Sequence, residues 1–562
     1  MPLGLLEPRL YRAAFAPALL ALIVLAFSLE DPQRAFAPEL APPTFSAQRA
    51  IAAGRQLVDQ YGARESGSRQ DADVAGLVAG RLKAAGFDAA RYRFDAKTLN
   101  GKRELINVLG MRAGPSDRRL VIVTSRDGSP GVLDRAGAVE TGVLLELARV
   151  LQGRSFDHTI VLASVSGSAD GGLGADELAR RLRRPVDAVI VLRNLTAEPA
   201  DPAIVAQNDS RLRPDPRFER TMNQIALREL GRRPAEHSTI GQLVRIGYPV
   251  ALGEQATYAA RRLSAVSVSP GGEPLGAAGF SRVSQVAAAG TTALRSLTTF
   301  DGDYRPSPPS PEQLGIGGKL VPGWAIILFI GSLLLPLVVI AVDGWARARR
   351  WDESSTRGLL APPLAMLWLA IVALALRAIG WVGLIDAPSL PAEPAAIDST
   401  GALVVGSGLI ALALFGVLVA AAGTRQITPK GGEAGFALWI AAAALGLFSL
   451  NPIAAGFWLL LAHLLVIMLL AGTRPRRLQI WGLTLAGAVP VAVAMIYYPL
   501  AFDLGLTGSV RFAVLLQAGG FVGLFATAAI CALTAAILTA LLHLHWTAPV
   551  PRTPTKTRSP LL

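Results

Sequence analysis

Seven apolar runs in the second half of the chain limit what it can fold into more than any other feature. They lie near 322–342, 359–385, 402–423, 434–450, 452–472, 478–501 and 512–542. As helices these runs match the roughly 30 Å hydrocarbon core of a bilayer, which takes about 20 residues to cross. No water reaches the backbone there, so each run must satisfy its own N–H and C=O groups as a helix. An eighth apolar segment, 13–29, follows Arg9 and Arg12. Its only A-x-A cleavage candidate, Ala35-Phe36-Ala37, stands well beyond the apolar stretch and precedes Pro38, so the segment reads as an uncleaved anchor. Across 562 residues, 52% are hydrophobic and the mean hydropathy is +0.42, too apolar for a soluble chain.

The formal net charge of +13 does not point to nucleic acid, because the arginines outside the polar first half cluster in short loops between apolar runs. Arg347, Arg349, Arg350 and Arg357 follow the second span, Arg425 and Lys430 the fourth, and Arg474, Arg476 and Arg477 the sixth. Asp386, Glu393 and Asp398, or Asp503 alone, occupy the loops between. The positive-inside rule then places residues 1–12 and the basic tail 546–562, with Arg552, Lys556 and Arg558, in the cytoplasm, and the polar domain outside. One span plus seven, the latter over 321–545, satisfies every loop. The last run exceeds what a bilayer requires, so its end is expected to tilt or emerge at the interface. The single cysteine, Cys531, lies in an apolar run and leaves neither a disulfide framework nor a thiolate metal site.

Residues 45–300 are ordinary α/β material, and YRPSPPSPEQ within 301–320 reads as a stiff linker. Helical patterns at 47–61 and 70–86 precede strands at 104–111 and 119–124. A helix at 136–152, a strand at 159–165, a helix at 174–183 and a strand at 187–192 follow. The alternation predicts a doubly wound, mostly parallel sheet, a fold that gathers its sites at the C-terminal ends of its strands. Three strands end in polar stretches: Ser125-Arg126-Asp127, Ser166-Gly167-Ser168-Ala169-Asp170 and Arg193-Asn194. Either these converge on one crevice, or they are polar simply because strand ends reach solvent.

The region 50–300 resembles the zinc-dependent aminopeptidases, the clan that also includes the transferrin receptor and glutamate carboxypeptidase ectodomains. The resemblance rests on Gly67-Ser68-Arg69, Asn107-Val108, the strand VIVTSRDGSPG (121–131), Gly137-Ala138 followed by GVLLELAR (142–149), Gly171-Gly172-Leu173-Gly174 and Gly247-Tyr248-Pro249-Val250. Active members hold two zinc ions with two histidines, two aspartates and a glutamate, beside a catalytic glutamate. Carried over, the first histidine falls on Ser125, and the bridging aspartate near Ala138 and Val139, with Glu140 the nearest carboxylate. The paired glutamates fall on about Ser168 and Ala169, the later aspartate on about Asn194, and the final histidine on about Ile240. Only Asp127 matches, as the aspartate that orients the first histidine. The resemblance therefore implies a pseudo-peptidase with no zinc and no other cofactor, whose degenerate pocket is formed by Ser125, Asp127, Glu140, Ser168, Asp170 and Asn194. His158 stands before its strand, at the end opposite the crevice, where a solvated role is expected. His237, near Ile240, is a lone imidazole that cannot hold two zinc ions. No G-x-S-x-G pattern surrounds Ser125, Ser166 or Ser168.

With its one-plus-seven spans the whole chain resembles the GPI-anchor attachment subunit of GPI transamidase. That resemblance implies a non-catalytic ectodomain that helps bring substrate protein and glycolipid together while a partner subunit supplies the catalysis. In the membrane half, Arg377 either snorkels outward or binds a lipid phosphate or carboxylate, and His463 takes either an internal hydrogen bond or a headgroup. His543 and His545 are expected at the interface. The leading expectation is thus a membrane-anchored binding or scaffold protein for a lipid or protein substrate. The alternatives are a membrane exopeptidase or amidohydrolase using Asp127, Glu140, Asp170 and His237, and a transporter.

Overall fold

The chain begins with α1 (Pro8–Ala13) and α2 (Ala16–Phe27), then crosses into the polar domain, where serine caps set the first helices. Ser46 accepts from the Arg49 amide at the start of α3 (Ala47–Tyr61), and Ser68 from the Asp71 amide at the start of α4 (Arg69–Ala84). The computed structural model describes residues 5–37, 44–98, 100–128, 132–200, 203–207, 212–231, 238–273, 282–302, 304–305, 307, 310–311, 313–351, 360–382, 400–422, 429–471 and 475–549. His237, Arg357, Asp386, Glu393, Asp398, Arg425, Arg474 and the tail residues Arg552, Lys556 and Arg558 lie outside the described residues.

After α4 come β1 (Asp88–Thr98), β2 (Gly101–Arg112), β3 (Arg119–Ser125), α5 (Val132–Leu151), β4 (Thr159–Val165), α6 (Leu173–Arg181) and β5 (Val186–Leu192). The short strands β6 (Ile204–Val205) and β7 (Leu212–Arg213) precede α7 (Pro216–Leu230), α8 (Thr239–Gly247) and α9 (Gln255–Ala260), and β8 (Ala265–Val268) and α10 (Val283–Phe300) complete the domain. The main sheet runs β1-β2-β4-β3-β5-β8-β6. It is mixed rather than mostly parallel: β4, β3, β5 and β8 are parallel, whereas β1, β2 and β6 pair antiparallel. The difference has a local cause, since β1 and β2 are joined by a tight turn with no crossover helix, which only an antiparallel pair permits.

Along β3 the side chains alternate between two buried faces. Leu120 and Ile122 enter a core built with α3, α4, α5, α7 and α10, and Val121 and Val123 enter a second core with α6 and Tyr258 of α9. Burial on both faces is why these strands read as unbroken apolar runs. The α3–α5 contact depends on glycine: a Cβ on Gly142 would stand 2.1 Å from the Ala50 carbonyl oxygen.

Parts of the expected linker pack on the domain or pair in strands. Tyr304 is buried against Phe36, Phe218 and Phe300 and donates to Asp215. The strand β9 (Ser310–Pro311) pairs with β7, and β10 (Gln313–Ile316) forms a hairpin with β11 (Lys319–Pro322).

The second half comprises α11 (Gly323–Trp351), α12 (Ala361–Val382), α13 (Thr400–Ala422), α14 (Pro429–Leu450), α15 (Pro452–Leu470), α16 (Arg477–Ala501), α17 (Gly505–Ala518) and α18 (Leu524–Thr547). Seven helices among the described residues are long and apolar enough to cross a membrane, the first being Pro8–Phe27, and Gly406–Ala422 of α13 is a shorter apolar stretch. The last apolar run is two helices rather than one. It breaks at Gly519-Gly520, where Gly520 takes a positive φ of 76° that favours glycine.

Candidate functional site

The parallel register sets Ser125 beside Val165, Thr124 beside Leu192, and Leu192 beside Val268, so four strands open their C-terminal ends into one crevice. Glycines let the backbone close around it. A Cβ on Gly137 would lie 2.5 Å from the Asp127 carbonyl, and one on Gly174 would lie 2.2 Å from that of Ser166. Asn107 binds both sides of that second approach, donating to the Gly174 carbonyl at 2.8 Å and accepting from the Ser166 amide at 3.3 Å.

Beneath the crevice is a buried ion pair, Arg126 with Asp71 at 2.8 Å. Arg126 also donates to the carbonyls of Ser164 (3.0 Å) and Ile106, and Ser166 donates to Asp71 at 2.6 Å. One guanidinium thus ties the ends of β2, β3 and β4 together with α4, and its charge is met by a carboxylate as burial requires.

Above this layer the groups are carboxylates and hydroxyls. Ser125 Oγ donates to Glu140 at 2.7 Å, and the backbone amide of Asn194 also binds that carboxyl. Burial pushes Glu140 up to about 8 despite the Ser125 hydrogen bond and the nearby Arg193. Asp127 accepts from Ser66 Oγ at 3.0 Å, from the Ala169 amide at 3.3 Å and from the Ser168 amide. Burial first, then the charges of Asp71 and Glu254, raise Asp127 to about 7. Ser168 Oγ donates to Glu254, whose carboxyl is also raised by burial. Asn194 takes a left-handed φ of 54° and donates to the Gly272 carbonyl at 3.1 Å, and Asp170 is buried at the same strand end.

The structure therefore brings Ser125, Asp127, Glu140, Ser168 and Asn194 together. It adds Glu254, which the sequence reading missed because Glu254 arrives on the loop between α8 and α9, with no pattern linking it to Ser168. Ile240, where a last histidine was sought, is exposed on α8, a helix that packs on α15, α16 and β10. Among the described residues no three His, Cys, Asp or Glu side chains are placed to hold a metal ion. The donors do not suit zinc either: the crevice carboxyls accept from hydroxyls and amides, burial favours their protonated forms, and no imidazole stands among the described residues there.

His158 is a correction. It is buried, not solvated, with Nε2 2.9 Å from Asp187 and Nδ1 3.0 Å from the Asp301 carbonyl. Burial pulls its pKa down, but the hydrogen bonds to Asp187 and Asp301 prevail and raise it to about 9. Arg118 completes the cluster, 2.5 Å from Asp187.

The two candidates in the apolar helices, Arg377 and His463, also have internal partners. Arg377 donates to the Val522 carbonyl at 3.1 Å and lies within 3.5 Å of that of Gly520, so its guanidinium meets the carbonyls of the break between α17 and α18. His463 lies 2.9 Å from the Tyr11 hydroxyl through Nδ1 and 3.0 Å from the Leu333 carbonyl through Nε2. A carbonyl only accepts, so Nε2 carries the proton and Nδ1 accepts from Tyr11. Pro336 interrupts the hydrogen-bond ladder of α11 in that same turn, and the imidazole supplies a donor there. His543, in the last two turns of α18, is buried beside Phe436.

No family model matches the chain, and no curated protein matches it. Among solved structures, glutaminyl cyclases from Fimbriiglobus ruber (15% identity, TM-score 0.35) and an Acidobacteriales bacterium (17% identity, TM-score 0.37) each align with 48% of this chain and 99% of their own. A zinc aminopeptidase from Bacillus subtilis aligns at 10% identity and a TM-score of 0.33, over 45% of this chain and 95% of its own. Likenesses at these scores carry no argument about function, which must come from the residues.

Proposed function

We propose that this protein is a membrane-anchored, non-catalytic binding or scaffold subunit whose ectodomain crevice is a degenerate peptidase site. The observation that carries this reading is the Ser125–Glu140 hydrogen bond of 2.7 Å, which closes a serine onto a buried carboxyl at the position where the family resemblance calls for a zinc-binding histidine. Asp127 and Glu254 are engaged in the same way by Ser66 and Ser168. On this reading the ectodomain faces outward, both termini are cytoplasmic, and the bundle holds a lipid or the helices of a catalytic partner, as the resemblance to the GPI transamidase subunit implies. The full-length protein in detergent should turn over neither aminoacyl amides nor N-terminal glutaminyl peptides, with or without added zinc. Turnover that disappears in Asp127→Asn or Glu140→Gln would overturn the reading.

One observation favours a second reading, a hydrolase with a rearranged site: buried carboxyls held near neutral pKa values are what acid–base catalysis uses. A bell-shaped pH–rate profile for any hydrolysis by the full-length chain, altered in Glu140→Gln, would select it.

A further inference from the structure

Two separate routes lead from the crevice to one spot on the membrane bundle. The first begins at Ser168, which donates to Glu254. Two residues earlier, Leu252 is buried among Tyr498 and Phe502 of the outer end of α16 and Phe512 of α17. Next to it the Val250 amide donates to the Tyr498 hydroxyl at 3.2 Å, and that hydroxyl donates to the Tyr248 carbonyl at 2.5 Å. The second route begins at Asn194, which holds the Gly272 carbonyl at 3.1 Å. The adjacent Glu273 is buried in an ion pair with Arg245 at 2.7 Å, and Arg245 Nε donates to the Tyr497 hydroxyl at 2.8 Å.

The routes share no side chain, yet they end on consecutive tyrosines, and Pro499 follows immediately inside the helix. Proline removes one intrahelical hydrogen bond and lets a helix bend at that turn. Asn451, donating to the Gly247 carbonyl at 2.8 Å, fixes the other side of α8 to the start of α15, so the segment 244–254 is clamped between two membrane helices.

We infer that the crevice and the outer end of α16–α17 form one coupled unit: a change in the crevice hydrogen bonds at Ser168 or Asn194 shifts the packing of Tyr497, Tyr498 and Phe502, and the reverse. Coupling of this kind is reciprocal, because a free energy linking two sites acts equally from either side. It concerns mechanical connection alone and does not require the crevice to be non-catalytic, so its failure would leave the turnover result untouched.

Hydrogen–deuterium exchange on the full-length protein in nanodiscs tests it with single variants made at each end. Ser168→Ala removes the first route at the crevice, and Tyr498→Phe removes it at the membrane. Ser168→Ala should speed exchange in peptides covering 495–504 by about fivefold, and Tyr498→Phe should speed exchange in peptides covering 166–173 by a similar factor, a typical size for intramolecular coupling. Tyr497→Phe tests the second route, with peptides covering 193–198 as the readout, should either first-route variant not fold. Exchange changes confined in every variant to the mutated end would overturn the proposal.

Discussion

The two ends of the central parallel strands both bury charge, and they handle it in opposite ways. At the N-terminal pole, His158 and Arg118 face Asp187, with Asp301 on the other side of the imidazole, so cations and carboxylates are matched. At the crevice end, Glu140, Asp127 and Glu254 lean on serine hydroxyls and backbone amides, and their pKa values rise even though the Arg193 charge acts against the rise at Glu140 and Glu254. The matched pole behaves as a structural lock. The crevice instead keeps buried carboxyls with raised pKa values, the feature on which the proposed binding role rests.

The comparison breaks most readily at the pole. Asp187→Ala leaves the Arg118 guanidinium without its carboxylate and His158 with Asp301 alone, and should cost about 3 kcal/mol, the lower end of the penalty for removing one partner of a buried pair. Thermal unfolding of the full-length protein in detergent reads this loss, and a change below about 1 kcal/mol would mean that the pole is not a lock.

Next in size is a difference in pH dependence. A group whose pKa is raised on folding binds its proton more tightly in the native state, so its contribution is present below the unfolded pKa and lost as pH rises through the folded value. For Glu140 that window runs from 4.5 to about 8, and for His158 from 6.5 to about 9. Glu140→Gln should therefore weaken the first window, which Asp127 shares between 3.8 and about 7, and leave the protein more stable than the parent at pH 8 by on the order of 1–3 kcal/mol, while leaving the His158 window in place. A variant less stable than the parent at pH 8 would show that Glu140 is ionised and paired.

Ser125→Ala removes one donor from Glu140 and should cost about 1 kcal/mol, shifting the Glu140 titration further upward in the same pH series. At the bottom of the scale, Arg93→Ala on the exposed edge strand breaks an ion pair with Glu104 whose partners are 62% and 50% exposed, and unfolding should move by no more than about 0.5 kcal/mol.

Much of this contrast could be read in the sequence on one side only. The strands β3, β4 and β5 and the polar turns after them stood out because burial on both faces produces unbroken apolar runs that end abruptly. The strand β1 was missed, because Arg91, Arg93, Asp95 and Lys97 dominate a run in which Tyr92 and Phe94 are the alternating apolar residues. Glu254 was invisible, since it reaches Ser168 only through tertiary folding. His158 misled because an imidazole before a strand suggests solvent, and nothing local announces Asp301, whose approach is made by the far end of α10. The break in the last apolar run had a signal in Gly519-Gly520, overridden by the apolar residues on both sides.

The central claim is that the crevice carboxyls are satisfied by hydroxyls and amides instead of zinc. Full-length protein purified without chelator, loaded with excess zinc, desalted and assayed for metal by mass spectrometry tests this directly. The account predicts no more retained zinc than in an Asp127→Asn, Glu140→Gln double variant. Near-stoichiometric zinc in the parent that is lost in the double variant would contradict it.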